Sequence, residues 1–168
     1  MKIRISTLTV RGLEIRDFLN SDSLNERLNN IKKSGVIFKC NPVVTLTARK
    51  NVEGAEVFGK IFIEYEQECS RCSDPLPRSN TRDFYYIIKH NSAGEKVEDD
   101  VGIIFYTGEY VDLQSALEET IIIDLDIFWS PSLDKNDSCT LCGRAKQKSI
   151  SAKKEGKLNE LFKKAGIN

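Results

Sequence analysis

Three observations in this 168-residue chain predict an α+β fold built on an antiparallel β-sheet: β-branched alternating runs in the first two thirds, one helical stretch after them, and two C-x-x-C pairs flanking that stretch. In order, Lys2–Val10 alternates and reads as a strand. Residues 15–33 are polar, with apolar positions at mixed spacing, and Ser23 is placed to cap a short helix over 24–33 that stops at Gly35. The runs 43–48 and 55–66 flank a turn at Asn51–Gly54. Val57, Ile61, Ile63 and Tyr65 share one face, and Lys60, Glu64 and Glu66 the other, which predicts a half-solvated antiparallel hairpin. A strand is expected over 82–89, an acidic turn-rich loop over 91–100, and short strands over 102–106 and 109–111. Asp112 then caps one main amphipathic helix over 113–125, broken by Phe128-Trp129-Ser130-Pro131. The last twenty residues suit a short basic helix with Leu158, Leu161 and Phe162 on its apolar side.

The cysteines carry the chemistry. Cys69-Ser70-Arg71-Cys72 and Cys139-Thr140-Leu141-Cys142 account for four of the five. A two-residue spacer lets one tight turn supply two thiolates, and two such turns complete the tetrahedral shell of a structural Zn2+. The predicted ligands are therefore Cys69, Cys72, Cys139 and Cys142, closing the site to substrate. The interval between the pairs exceeds the roughly 15–20 residues of a compact zinc ribbon, so the intervening chain must fold back to bring them together. The competing reading is a dithiol redox protein. It requires a C-x-x-C opening a helix after a strand, whereas Asp74-Pro75-Leu76-Pro77 cannot start a regular helix and Gly143 suits a turn. A third reading is a zinc-stabilised adaptor that binds only proteins.

Composition bounds the rest. A 40% hydrophobic share with eight Phe, five Tyr and one Trp supplies a core. No apolar run approaches the roughly 18–20 residues of a membrane span. The start Met1–Ser6 lacks the apolar region of a signal peptide, so a non-exported chain with reduced thiols is expected. Net charge is zero but unevenly spread: residues 143–168 hold eight Lys/Arg against two acids, a net +6, and residues 1–142 hold 17 against 23, a net −6. A basic tail on an acidic body suits phosphate contact as well as a solvated helix end. Arg144, Lys146, Lys148, Lys153 and Lys154 have few acidic neighbours and are read as RNA-facing, as is Arg78. Arg71 suits charge compensation at the thiolates. The chain is divided into a 1–142 domain with the metal site and a 143–168 basic extension.

Other residues read as structural. His90, the single histidine, argues against His-based catalysis. Cys40 is expected as a small buried apolar residue. Phe128 and Trp129 are expected to cap the sheet end, and Glu118, Glu119, Asp124 and Asp126 to form a solvated face. With no phosphate-cradling loop, nucleophile elbow or hydrolase motif, the chain is read as non-enzymatic, with no small-molecule substrate and no membrane partner.

Three segments in order resemble the YceD family, whose plant members are large-ribosomal-RNA-subunit accumulation proteins. Cys69-Ser70-Arg71-Cys72-Ser73-Asp74-Pro75-Leu76-Pro77 is similar to its C-x-R-C-L-x-P signature, with Ser73 in place of leucine. Asp112–Glu119 is similar to its D-L-x-x-x-(I/V/L)-x-E helix, and Cys139–Gly143 to its closing C-x-x-C-G. The family's cysteine-rich stretch after the helix is usually longer. The resemblance, loose over 43–162, implies a factor assisting large-subunit assembly and rRNA accumulation. Its implied partners are large-subunit rRNA and ribosomal proteins or other assembly factors, in a bacterial cytoplasm or an organelle matrix.

Overall fold

The computed structural model describes residues 1–31, 35–52, 54–91, 102–126 and 128–143. The predicted acidic loop and nearly all of the basic extension, with Arg144, Lys146, Lys148, Lys153 and Lys154, lie outside these residues.

The expected hairpin is the centre of the fold. Strands β4 (Val43–Asn51) and β5 (Gly54–Glu68) pair antiparallel with Thr45 opposite Lys60 and Asn51 opposite Gly54. Because side chains alternate across a strand, Ala55, Val57, Ile61, Ile63 and Tyr65 all turn inward and are buried. Strand β2 (Leu13–Phe18) flanks β4, where sequence spacing showed no β signal. The short β3 (Val36–Ile37) pairs with the far end of β5.

On the other side, β6 runs from Pro75 to His90, much longer than the predicted 82–89. Its two prolines stand two residues apart, so their missing N–H groups fall on the side away from β5, an edge at which no donor is needed. Strand β7 (Ile103–Tyr106) then pairs with β6 in parallel, Ile87 beside Ile103. The sheet is therefore mixed, not wholly antiparallel as expected, because β7 runs in the same direction as β6 beside its last four residues, Ile87 to His90. The order is β2-β4-β5-β6-β7, and a separate pair joins β1 (Lys2–Arg4) to β8 (Tyr110–Asp112). The predicted strand over 2–10 is cut short by a 3-10 turn at Ile5–Thr7.

Two helices of equal length, not one main helix, are present among the described residues. Helix α1 (Ser21–Asn30) starts earlier than predicted because Asn20, not Ser23, caps it, accepting from the amides of Asp22 at 2.8 Å and Ser23 at 3.2 Å. Helix α2 (Gln114–Ile123) follows Asp112, whose Oδ1 accepts from the Gln114 amide at 2.9 Å. Leu24 and Leu28 of α1, Leu117 and Ile121 of α2, Ile3 and Val111 share one core with the inward residues of β4 and β5.

Glu118 corrects the expected solvated face. It is 2% exposed and bridges the helices. Arg27 Nη1 donates to its Oε2 at 3.1 Å and to the Ser115 carbonyl at 2.9 Å, and Gln114 donates to its other oxygen. A buried carboxylate persists because its lone pairs are filled this way. Cys40 is also corrected: it is exposed, and Phe38 takes the interior position two residues earlier.

Gly59 of β5 stands opposite Leu46 of β4, and a Cβ there would sit 2.2 Å from the Thr45 carbonyl oxygen and 2.7 Å from Leu46 Cα. Both obstacles are backbone and cannot swing aside. Gly59→Ala is therefore expected to cost about 3 kcal/mol and to lower Tm by roughly 6–12 °C, read by thermal unfolding in circular dichroism.

Candidate metal centre

The first cysteine turn caps the β5–β6 hairpin. Cys69 follows the last residue of β5, Cys72 closes the turn, and β6 starts at Pro75. The second turn is built the same way. In the first, the Ser73 amide donates to the Cys69 carbonyl at 2.8 Å, and in the second the Gly143 amide donates to the Cys139 carbonyl at 2.8 Å. Both residues after the second cysteine have left-handed backbones, Ser73 at φ 57° and Gly143 at φ 71°. Glycine adopts that conformation freely, and serine does so at a cost.

The two turns meet. The sulfurs of Cys69, Cys72 and Cys139 lie within 4.8 Å of one another, and Cys142 Sγ is 3.1 Å from Cys72 Sγ. Cys69, Cys72 and Cys139 are buried, whereas Cys142 is half-exposed. Leu76, Trp129 and the cysteines form a small apolar cluster separate from the main core. The Asp74 carboxylate also lies within 4.8 Å of the Cys72 and Cys142 sulfurs. This neighbour was missed by sequence reading, which treated Asp74 only as a helix breaker.

Polar contacts bring the distant turn home. After α2, Arg82 Nη2 donates to the Asp124 carbonyl at 2.9 Å. Arg78 Nη1 donates to Gln67 Oε1 at 2.6 Å and to Asp126 Oδ2 at 3.3 Å, and the guanidinium lies 4.4 Å from the Trp129 ring centroid. Buried Gln67 completes the clasp by donating to the Asp126 carbonyl at 2.7 Å. The Ser70 amide then donates to the Trp129 carbonyl at 2.8 Å, fixing the returning chain against the first turn. In the loop that follows, Asp134 Oδ1 accepts from the Asn136 and Ser138 amides, each at 2.8 Å. A bridge between Leu133 and Cys139 sets the second turn in place.

Several predicted residues thereby find their places. Arg78 was read as RNA-facing, but its guanidinium is occupied inside the protein by Gln67, Asp126 and Trp129. Trp129 packs beside the cysteines as expected. Phe128 does not, being 86% exposed. Arg71 has a buried Nη1 with no hydrogen-bond partner among the described residues, a donor suited to added negative charge on this turn. His90 stands apart, edge-on to Tyr106 with centroids 5.1 Å apart.

The thiols differ in acidity. Backbone amides of Cys142 and then Leu141 point at Cys139, and with the hydrogen bonds to Cys142 and Cys69 they outweigh burial and bring its thiol down to about 7. At Cys72 the largest influence, the Asp74 backbone amide, favours the thiolate. The bonds to Cys142 and Cys69 together with burial overcome it and push the thiol up to about 12. Near neutral pH Cys72 therefore keeps its proton, while Cys139 is poised between thiol and thiolate.

The donor set fits a thiophilic ion. A tetrahedral Zn2+ with Zn–S near 2.3 Å would set sulfurs about 3.8 Å apart; Cys72 and Cys142 stand closer than that, at 3.1 Å, and Cys69, Cys72 and Cys139 lie within 4.8 Å of one another. All four positions would be filled by protein, leaving none for a substrate.

The profile described as "Large ribosomal RNA subunit accumulation protein YceD" matches residues 57–164, spanning both cysteine turns and α2. The chain belongs to the YceD family. No curated protein and no solved structure matches it. Within the match, this YceD member carries the two turns, the clasp and the segment beyond Gly143. The strands β1 to β4 precede the match. Among the described residues no helix is long and apolar enough to cross a membrane.

The left-handed backbone at the two turns gives a direct check. Ser73→Gly is expected to stabilise the fold by about 1 kcal/mol, raising Tm by roughly 2–4 °C in calorimetry, and Gly143→Ala to lower it by a similar amount.

Proposed function

We propose that this YceD protein is a non-enzymatic factor that assists large ribosomal subunit assembly and rRNA accumulation. In this reading Cys69, Cys72, Cys139 and Cys142 hold one structural Zn2+. The basic residues Arg144, Lys146, Lys148, Lys153 and Lys154 contact rRNA phosphates. The observation that carries the reading is the convergence of two C-x-x-C turns inside the stretch matched by the family profile.

The bound ion would supply no chemistry on a substrate. It would hold the chain after α2 against the β5–β6 hairpin and so fix where the basic segment departs. Arg71 supports the assignment through its buried, unsatisfied donor, since four thiolates around a divalent ion leave about −2 to offset. The acidic body, net −6 over residues 1–142, suits basic ribosomal proteins as neighbours, and the net +6 of residues 143–168 suits RNA.

Metal analysis of purified protein is expected to find about one zinc per chain, and none in Cys139→Ser. Zinc must displace the Cys72 proton throughout the neutral range, and the Cys139 proton too below about pH 7. Affinity should therefore fall as pH falls, by about tenfold per unit for each proton displaced, and more steeply below pH 7, in competition titrations with a chelator.

Replacing Lys146, Lys148, Lys153 and Lys154 by Gln should leave the melting transition unchanged and weaken rRNA binding. The slope of log affinity against log salt should shrink by about 3 in magnitude. Sedimentation with precursor large subunits tests the biological claim directly: absence of the protein from those fractions would overturn it.

A further inference from the structure

We propose that Cys72 and Cys142 form a peroxide-oxidisable pair whose disulfide replaces the metal as the link between the two cysteine turns. The inference rests on the four-thiol zinc reading above and adds a means of regulating that site. Three observations carry it. The two sulfurs are 3.1 Å apart, and they belong to different turns, 70 residues apart in the chain. Cys142 is also the half-exposed member, beside exposed Leu141, whereas Cys69 and Cys139 are 1% and 2% exposed. An oxidant arriving from solvent meets Cys142 first and finds Cys72 directly behind it.

The chemistry balances with a hydroperoxide as oxidant. The Cys142 sulfur attacks the O–O bond of hydrogen peroxide and becomes a sulfenic acid, and the first water leaves. The Cys72 sulfur, a thiolate while zinc is bound, then displaces the sulfenic hydroxyl, which takes a proton from solvent and departs as the second water while the S–S bond forms. Two thiolates give up two electrons, solvent supplies two protons, and one peroxide becomes two waters.

The consequence follows from which sulfurs are joined. Cys69 and Cys139 remain and cannot fill a tetrahedral shell, so zinc leaves. The turns nevertheless stay together, because the new bond runs from one to the other. The Ser70–Trp129 contact and the Leu133–Cys139 bridge do not involve those sulfurs. A disulfide inside either C-x-x-C would do the opposite, releasing metal and unlinking the turns. Oxidation through Cys72 and Cys142 therefore exchanges a metal link for a covalent one and discharges zinc without dismantling the scaffold.

The test treats full-length, zinc-loaded protein with stoichiometric hydrogen peroxide, following zinc with a chromogenic chelator and mapping disulfides by peptide mass spectrometry. The expected result is a Cys72–Cys142 cross-linked peptide appearing in step with zinc release, and a cooperative melt retained after oxidation. In metal-free Cys142→Ser, which lacks one zinc ligand, peroxide consumption should be slower than in the metal-free unmodified chain by at least about tenfold, because the accessible sulfur is gone. A product dominated by Cys69–Cys72 or Cys139–Cys142, or zinc retained under peroxide, overturns the inference and leaves the zinc reading standing. Protein that is isolated without metal and resists zinc loading, yet forms the Cys72–Cys142 bond, overturns the zinc reading and keeps the oxidisable pair. The mapping on the unmodified chain decides the matter even if Cys142→Ser folds poorly.

Discussion

The meeting of two cysteine turns, one at the tip of the β5–β6 hairpin and one beyond α2, is the constraint on which the described C-terminal part of the structure depends. That chain has little core of its own. Past Leu125 it contributes Trp129 and the second pair of cysteines to a small apolar cluster and little to the main one. Its position is held by directional contacts instead. Arg82 and Arg78 project from β6 to catch Asp124 and Asp126, and the backbone of Ser70 receives the carbonyl of Trp129. Polar contacts of this kind specify geometry more strictly than apolar burial does, since a hydrogen bond fails when its partner moves by an ångström. Four sulfurs can converge from distant parts of the chain only if something upstream is that strict.

The same principle runs through the interior. Glu118 and Gln67 are the buried polar residues among those described, and each ties two elements together. Glu118 joins α2 to Arg27 of α1, and Gln67 joins β5 to Arg78 of β6 and to the chain after α2. Left unpaired, either group would cost several kcal/mol in the interior. Paired, they set the register between helices and between hairpin and tail where hydrophobic surfaces would tolerate sliding. Asn25 does similar work near the surface. It donates to the Phe38 carbonyl and accepts from the Phe38 amide, both at 2.9 Å, as a neighbouring strand would.

How much of this was legible depended on whether a residue's role was local. The β4–β5 hairpin was plain because period-two alternation and the turn at Asn51–Gly54 are local signals, and its inward face was read correctly. The second helix was plain from its apolar spacing and from Asp112. Strand β2 was hidden because Asp17 breaks, after only Leu13 and Ile15, the alternation that Glu14 and Arg16 keep, and its pairing with β4 comes from the sheet. The first half of β6 was hidden by Pro75 and Pro77, which are tolerated only because that edge is unpaired. At the site, the four cysteines could be named from spacing. Arg78 could not be assigned, because surface phosphate contact and an internal clasp call for the same residue type. Cys40 was misplaced because it lies in the irregular chain between β3 and β4, where no strand or helix period assigns a residue to the core.

The sequence by itself determined the α+β class, the central hairpin and its buried face, the four cysteines of the two turns, and the charge division between body and tail. Each of these follows from residue types at short range, where strand and helix periods and the reach of a tight turn leave few alternatives. The tertiary structure alone decided the parallel entry of β7, the burial of Glu118 and Gln67, the inward use of Arg78 and the pairing of Cys72 with Cys142. Each depends on where a segment lies relative to one far away in the chain. Desolvation and hydrogen-bond geometry are settled only after the sheet has formed and the returning chain has somewhere to dock.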